Sequence, residues 1–194
     1  MRNRLLVALV ALVACLASAF APGVHAQAMV RADSATLAAM RRLEFIIGDW
    51  QGTGTLQRGP GNSSTSRATE SAQWRLDGAG ILVQGHGTAQ MQPGGPEVTV
   101  HDALGVITYD RANQRYRFQA WRGDGEPINA NIEVGDKRMV WGFQDPRGFT
   151  IRFTMHITAE GRWNEVGEVT RDGTTWFKFM EMNLDRVAAP AAGG

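Results

Sequence analysis

Residues 149–158, Phe149-Thr150-Ile151-Arg152-Phe153-Thr154-Met155-His156-Ile157-Thr158, alternate apolar and polar side chains without a break. Successive side chains of a strand point to opposite faces, so this period of two puts Phe149, Ile151, Phe153, Met155 and Ile157 on one face. A helix would need its apolar residues three and four apart. The stretch therefore reads as a half-buried strand. Outward from it the same rhythm repeats. Towards the N-terminus lie the turn Asp145-Pro146-Arg147-Gly148 and then Met139, Trp141 and Phe143. Beyond Gly135-Asp136, Ile128, Ala130, Ile132 and Val134 alternate with Asn129, Asn131 and Glu133. Beyond Gly123-Asp124-Gly125, Tyr116, Phe118 and Ala120 alternate with Arg115, Arg117 and Gln119. Towards the C-terminus, Glu160-Gly161 and Asp172-Gly173 separate two more strands, 162–170 and 174–187.

Four further strands are expected earlier in the chain, at 49–57, 67–76, 80–90 and 97–109, the last bulged at Gly105. Residues 58–66 and 92–96 read as loops, and Asp77-Gly78 and 110–113 as turns. One short N-terminal helix is expected, capped by Ser34, carrying Leu37, Met40, Leu43 and Ile47 on one face and stopped by Gly48. Ten strands joined by short turns, with no helical crossovers, favour antiparallel pairing. The expected fold is all-β, an antiparallel up-and-down barrel of about ten strands. Closure would remove both sheet edges. A two-sheet sandwich is the alternative.

The first residues have the three-part pattern of a secretory signal: basic Arg2 and Arg4, an apolar run over 5–20, and Val24-His25-Ala26 as a cleavage site. The division expected is a signal peptide at 1–26, an N-terminal segment and helix at 27–48, the barrel at 49–187 and a flexible tail at 188–194. The protein is then periplasmic or extracellular. Leu12-Val13-Ala14-Cys15 gives a competing reading as a lipobox, and only in that case would the protein be anchored to a membrane, through Cys15. Cys15 is the one cysteine in the chain. Its removal with the leader would exclude disulfides, thiolate nucleophiles and cysteine–metal sites. The chain carries a formal charge of +1 and shows no basic cluster, so nucleic-acid binding is not expected.

Gly48-Asp49-Trp50 after a helix, Gly52 and Gly54, the ladder of hairpins, and Arg186 near the end of the last strand resemble the calycin superfamily of lipocalin-like barrels. The resemblance implies that Trp50 packs across the barrel base under Arg186. The phrases at 43–54, 101–110 and 163–186 (LEFIIGDWQGTG, HDALGVITYD and WNEVGEVTRDGTTWFKFMEMNLDR) resemble a bacterial family of calycin-type domains of unknown function. Nitrobindin-like haem barrels share the Gly-x-Trp-x-Gly-x-Gly opening, here at 48–54. This chain lacks their Tyr-Pro-Thr-Ile run and has no histidine near the C-terminal strand, so no cofactor is expected and haem is not implied.

The function expected is an exported small-molecule-binding barrel holding an apolar or amphipathic ligand. The alternatives are an enzyme using buried carboxylates, or a filled barrel with a structural or interaction role. The candidate ligand-binding residues are Trp121, Trp141, Phe153, Phe179 and Glu181, with Glu181 counted on the same face as Phe177 and Phe179. Trp50 and Arg186 are structural. Glu70, Glu165 and Glu168 are further carboxylates of interest. His86, His101 and His156 fall on three different strands, so no metal site is expected. No catalytic residue is assigned: nucleophile elbow, phosphate loop, dinucleotide fingerprint and zinc-protease motif are all missing. If the calycin pattern holds, the helix closes one end. The open end then carries the 58–66 loop and the turns at 92–96, 123–127, 145–148 and 172–173.

The leader reading predicts that the exported protein begins at Gln27. Its intact mass checks this, and a diacylated N-terminal Cys15 would contradict it.

Overall fold

The computed structural model describes residues 31–59, 61–92 and 94–188. The expected signal peptide, with Cys15, and residues 189–194 of the expected tail lie outside the described residues. A helix, α1 (Ser34–Arg41), is followed by ten strands: β1 (Gly48–Gly59), β2 (Asn62–Arg75), β3 (Gly80–Gln90), β4 (Glu97–Asp110), β5 (Arg115–Arg122), β6 (Pro127–Gly135), β7 (Arg138–Gln144), β8 (Thr150–Ile157), β9 (Trp163–Thr170) and β10 (Phe177–Arg186). Each strand pairs with its neighbours in sequence, and β10 returns to β1, closing an antiparallel barrel. The fold is therefore the all-β up-and-down barrel expected, not the sandwich.

The local chemistry differs from expectation in four places. Asp33, not Ser34, caps α1: its Oδ1 accepts from the backbone N–H groups of Ala35 and Thr36, each at 3.0 Å. A carboxylate at that position also meets the positive end of the helix. The helix stops at Arg41, and the apolar repeat continues through a 3-10 turn at Glu44–Ile46. The polar stretch at 58–66 is mostly strand, because β1 and β2 stay in register from Gly48↔Ala72 to Gln57↔Ser63. The bulge expected at Gly105 lies instead at Val100 of β4, the residue left unpaired between Gly87↔His101 and Thr88↔Thr99. Gly105 makes room instead of bending the strand. A Cβ there would lie 2.3 Å from the Phe118 ring, so its bareness admits that ring.

The core fills the helix-side half of the barrel. Met40, Leu43 and Ile46, at three-residue spacing, are fully buried together with Ile81, Met155 and Leu184. Polar contacts fasten the helical segment to the strand ends. The Tyr116 hydroxyl donates to the Ala39 carbonyl at 2.7 Å, and Arg42 donates to the Val134 carbonyl at 2.9 Å. Arg111 pairs with Asp33 at 3.3 Å. The helical segment thus packs where β4 meets β5 and β6 meets β7. The β1–β2, β3–β4, β5–β6, β7–β8 and β9–β10 connections lie at the opposite end.

Trp50 is the keystone of the closed end. Its indole Nε1 donates to the Ile46 carbonyl at 2.9 Å, and its ring meets Trp163 edge-on at 5.6 Å. The Arg186 guanidinium stacks on its other side, 4.0 Å from the ring centroid, and donates to the Phe45 and Ile47 carbonyls. Trp50→Ala is predicted to lower the unfolding free energy by roughly 3–5 kcal/mol, the usual cost of emptying a large aromatic site. Urea denaturation measures it, and a loss below about 1 kcal/mol would contradict this packing.

Candidate functional site

Above the Trp50–Trp163 floor the barrel is not filled. It holds a cavity of about 330 Å³, within the lower range for small-molecule sites. The walls are aromatic because the inward positions of β5, β7 and β8 carry Phe118, Trp141, Phe143 and Phe153. Trp141 stacks on Phe153 with centroids 4.2 Å apart, and Phe118 meets Trp141 edge-on at 4.9 Å. Small residues opposite, Ala68, Gly85, Gly87 and Ala103 on β2, β3 and β4, leave the space those rings do not occupy.

Three of the five expected ligand-binding residues come together here. Trp141, Phe153 and Phe179 line the cavity, with Phe179 edge-on to Phe153 at 5.8 Å. Trp121 stands at the margin. It pairs with outward Leu104, is 40% exposed, and borders both the cavity and a polar depression on the outer face of β1 to β5. Glu181 is not part of the lining, which corrects the expectation for it. Lys178 pairs with Glu168 and Met180 with Gly167, so Phe179 is an extra residue in β10. One inserted residue reverses the facing of everything beyond it. Met180, Met182 and Leu184 therefore point inward, while Glu181 points out and accepts from Lys178 at 2.8 Å and Asn164 at 3.2 Å. Those bonds hold its carboxyl below the ordinary range. Glu168 is likewise outside, paired with Arg152 at 2.8 Å, and Arg152 stacks on Trp176 at 3.9 Å.

The acids that do enter the barrel are Glu70 and Glu165. Glu70 on β2 shares its face with Ala68 and Ala72, and Glu165 on β9 shares its face with Trp163 and Gly167. Both stand among protein atoms on nearly every side, and Glu70 still borders the open volume of the cavity. The Trp163 indole donates to Glu165 Oε2 at 3.0 Å. Among the described residues no side chain donates to Glu70, and no lysine or arginine acts on either acid. Burial therefore raises both groups. Glu70 is pushed up to about 8, helped by the charge of Glu165. Glu165 is pushed up to about 7 by burial, against the hydrogen bonds of the Trp163 and Trp141 indoles.

His101 completes the cluster from β4. A Cβ on Gly85 would lie 2.5 Å from Glu70 Oε1 and 3.0 Å from His101 Nε2, so both polar atoms flank the space above that glycine. Burial lowers the His101 basicity, with His86 adding to the effect and Asp102 opposing it. Among the described residues, the one arginine at the cavity, Arg122, is paired with Asp124 at 2.7 Å. Among the described residues, no group of three or more histidine, aspartate or glutamate side chains is arranged to hold a metal ion. The chain matches no protein-family model and no curated protein.

The two acids predict a pH dependence of folding. A glutamate in the unfolded chain titrates near 4.5, while these two titrate near 8 and 7 when folded. Between those limits the native state holds more protons, so stability should fall as pH rises from about 4.5 to about 8. His101, with lowered basicity, contributes in the opposite direction. Glu70→Gln removes one acid and leaves that histidine. It should flatten the decline between pH 5 and pH 8 in urea denaturation. Parallel wild-type and variant curves would contradict the buried, unpaired state of Glu70.

Proposed function

We propose that this is an exported barrel of the calycin type that binds a small apolar or amphipathic molecule in its interior. One observation carries the reading: an aromatic-walled cavity persists above a well-packed floor. A barrel selected only for stability would fill that volume with side chains, since empty apolar space costs stability. Barrels of this size have room for one small ligand. The Arg186–Trp50 stack at the closed end supports kinship with lipocalin-like barrels, and the Gly48-Asp49-Trp50 opening agrees with it. The leader supports a periplasmic or extracellular site of action.

A second reading, an enzyme that uses buried carboxyls, has its own supporting observation. Glu70 and Glu165 titrate near neutrality, where a general acid or base works best. The acids concerned are this pair, not the outward Glu168 and Glu181. The open interior weighs against a filled barrel with a purely structural role.

The binding reading predicts saturable uptake of the neutral fluorophore N-phenyl-1-naphthylamine at one site per chain. Ala120→Trp, which adds bulk beside Phe118 inside the cavity, should weaken that uptake at least about tenfold while the far-ultraviolet circular dichroism stays unchanged. Equal uptake by both proteins would place the dye elsewhere and contradict the reading.

A further inference from the structure

Resting on the binding reading, we propose that the cavity selects a cationic amine: a molecule with an apolar body and a primary ammonium head held by Glu70, Glu165 and His101. The geometry supplies what such a ligand needs. The floor end of the cavity carries two carboxyl groups and an imidazole, and the walls are aromatic. Glu70 is enclosed, lacks a donor among the described residues, and faces the open volume. A carboxyl that borders such a volume with no protein donor gains a partner when a donor or a cation arrives. Glu70 Oε1 and His101 Nε2 both lean over the bare Cα of Gly85, so the two acceptors are neighbours and one small group at the cavity can reach both. An ammonium has three donors and no acceptor, which matches two carboxylates and a neutral imidazole.

Charge points the same way. The groups facing Glu70 across the cavity are Glu165 from β9, His101 from β4 and Arg122 from β5. Arg122 is neutralised by Asp124. The inward positions of β1 and β3 beside Glu70 are Trp50, Gly52, Val83 and Gly85, none of them ionisable. An anionic head would meet two acids and no free cation. Cation binding requires the acids to ionise, so protons are released when it occurs. Because Glu70 and Glu165 titrate near 8 and 7, affinity for an amine rises as pH goes from 6 to 8.5.

Three matched probes test this by isothermal calorimetry: 3-phenylpropylamine, 3-phenyl-1-propanol and 3-phenylpropionate. At pH 8 the amine should bind at least about tenfold more tightly than the alcohol, and the propionate most weakly. Amine affinity should rise at least about fivefold from pH 6 to pH 8, with proton release visible as a buffer-dependent enthalpy. Glu70→Gln should remove the preference for amine over alcohol while alcohol binding remains. Alcohol or propionate binding as tight as amine overturns the amine inference and leaves the binding reading standing. An amine preference that survives in both Glu70→Gln and Glu165→Gln also overturns it. Binding of none of the three overturns both.

Discussion

The structure depends on one stacked contact, the Arg186 guanidinium on the Trp50 indole. The two residues face each other across the seam where β1 meets β10, the pair that turns ten strands into a barrel. The same guanidinium reaches the Phe45 and Ile47 carbonyls, which the short helical segment leaves without helical partners. One side chain thus joins ring closure, helix docking and the floor. Met40, Leu43 and Ile46 then have a surface to pack against, and Trp163 has an edge to meet. Without a sealed floor, water would reach the interior from both ends.

The properties of the site follow from that seal. Glu70 and Glu165 share the inward face with the two tryptophans, enclosed by protein atoms on nearly every side. A carboxyl there loses hydration and gains little in return. Glu165 has indole donors, and Glu70 has none among the described residues. The wall residues add no free compensating charge: Arg122, the arginine that borders the cavity, is paired with Asp124. The interior is therefore apolar at its sides and acidic at its base. That polarity would orient the amphipathic guest proposed above, head towards the tryptophan floor and body along Trp141 and Phe153.

The fold was legible because alternation is a local property. Met155, Phe153 and Ile151 face inward as the period of two requires, and each short turn carries its glycine or aspartate. The site was less legible, for a reason that lies in β10. Counting by twos from Phe177 places Phe179 and Glu181 together, and the extra residue at Phe179 breaks that count without any glycine to mark it. Glu70 and Glu165 carried a readable signal. Each is an acid on the apolar parity of its strand, beside Ala68 and Ala72 in one case and Trp163 in the other. Their meeting was not readable, since β2 and β9 are far apart in sequence and are brought to one floor only by the β1–β10 seam. His101 lies on the inward parity of Ala103, Gly105 and Ile107, just after β4 bulges at Val100, and only the closed register of β2 to β4 sets it beside Glu70.

The central claim is that two carboxyl groups near neutrality share an open apolar cavity above the tryptophan floor. The most direct measurement is a nuclear magnetic resonance titration of the glutamate side-chain carboxyl carbons, with Glu70→Gln and Glu165→Gln used for assignment. The account predicts that the Glu70 and Glu165 signals shift with midpoints near 8 and 7, above the ordinary glutamate range. Midpoints below about 5 for both would mean hydrated or paired carboxylates and would contradict it.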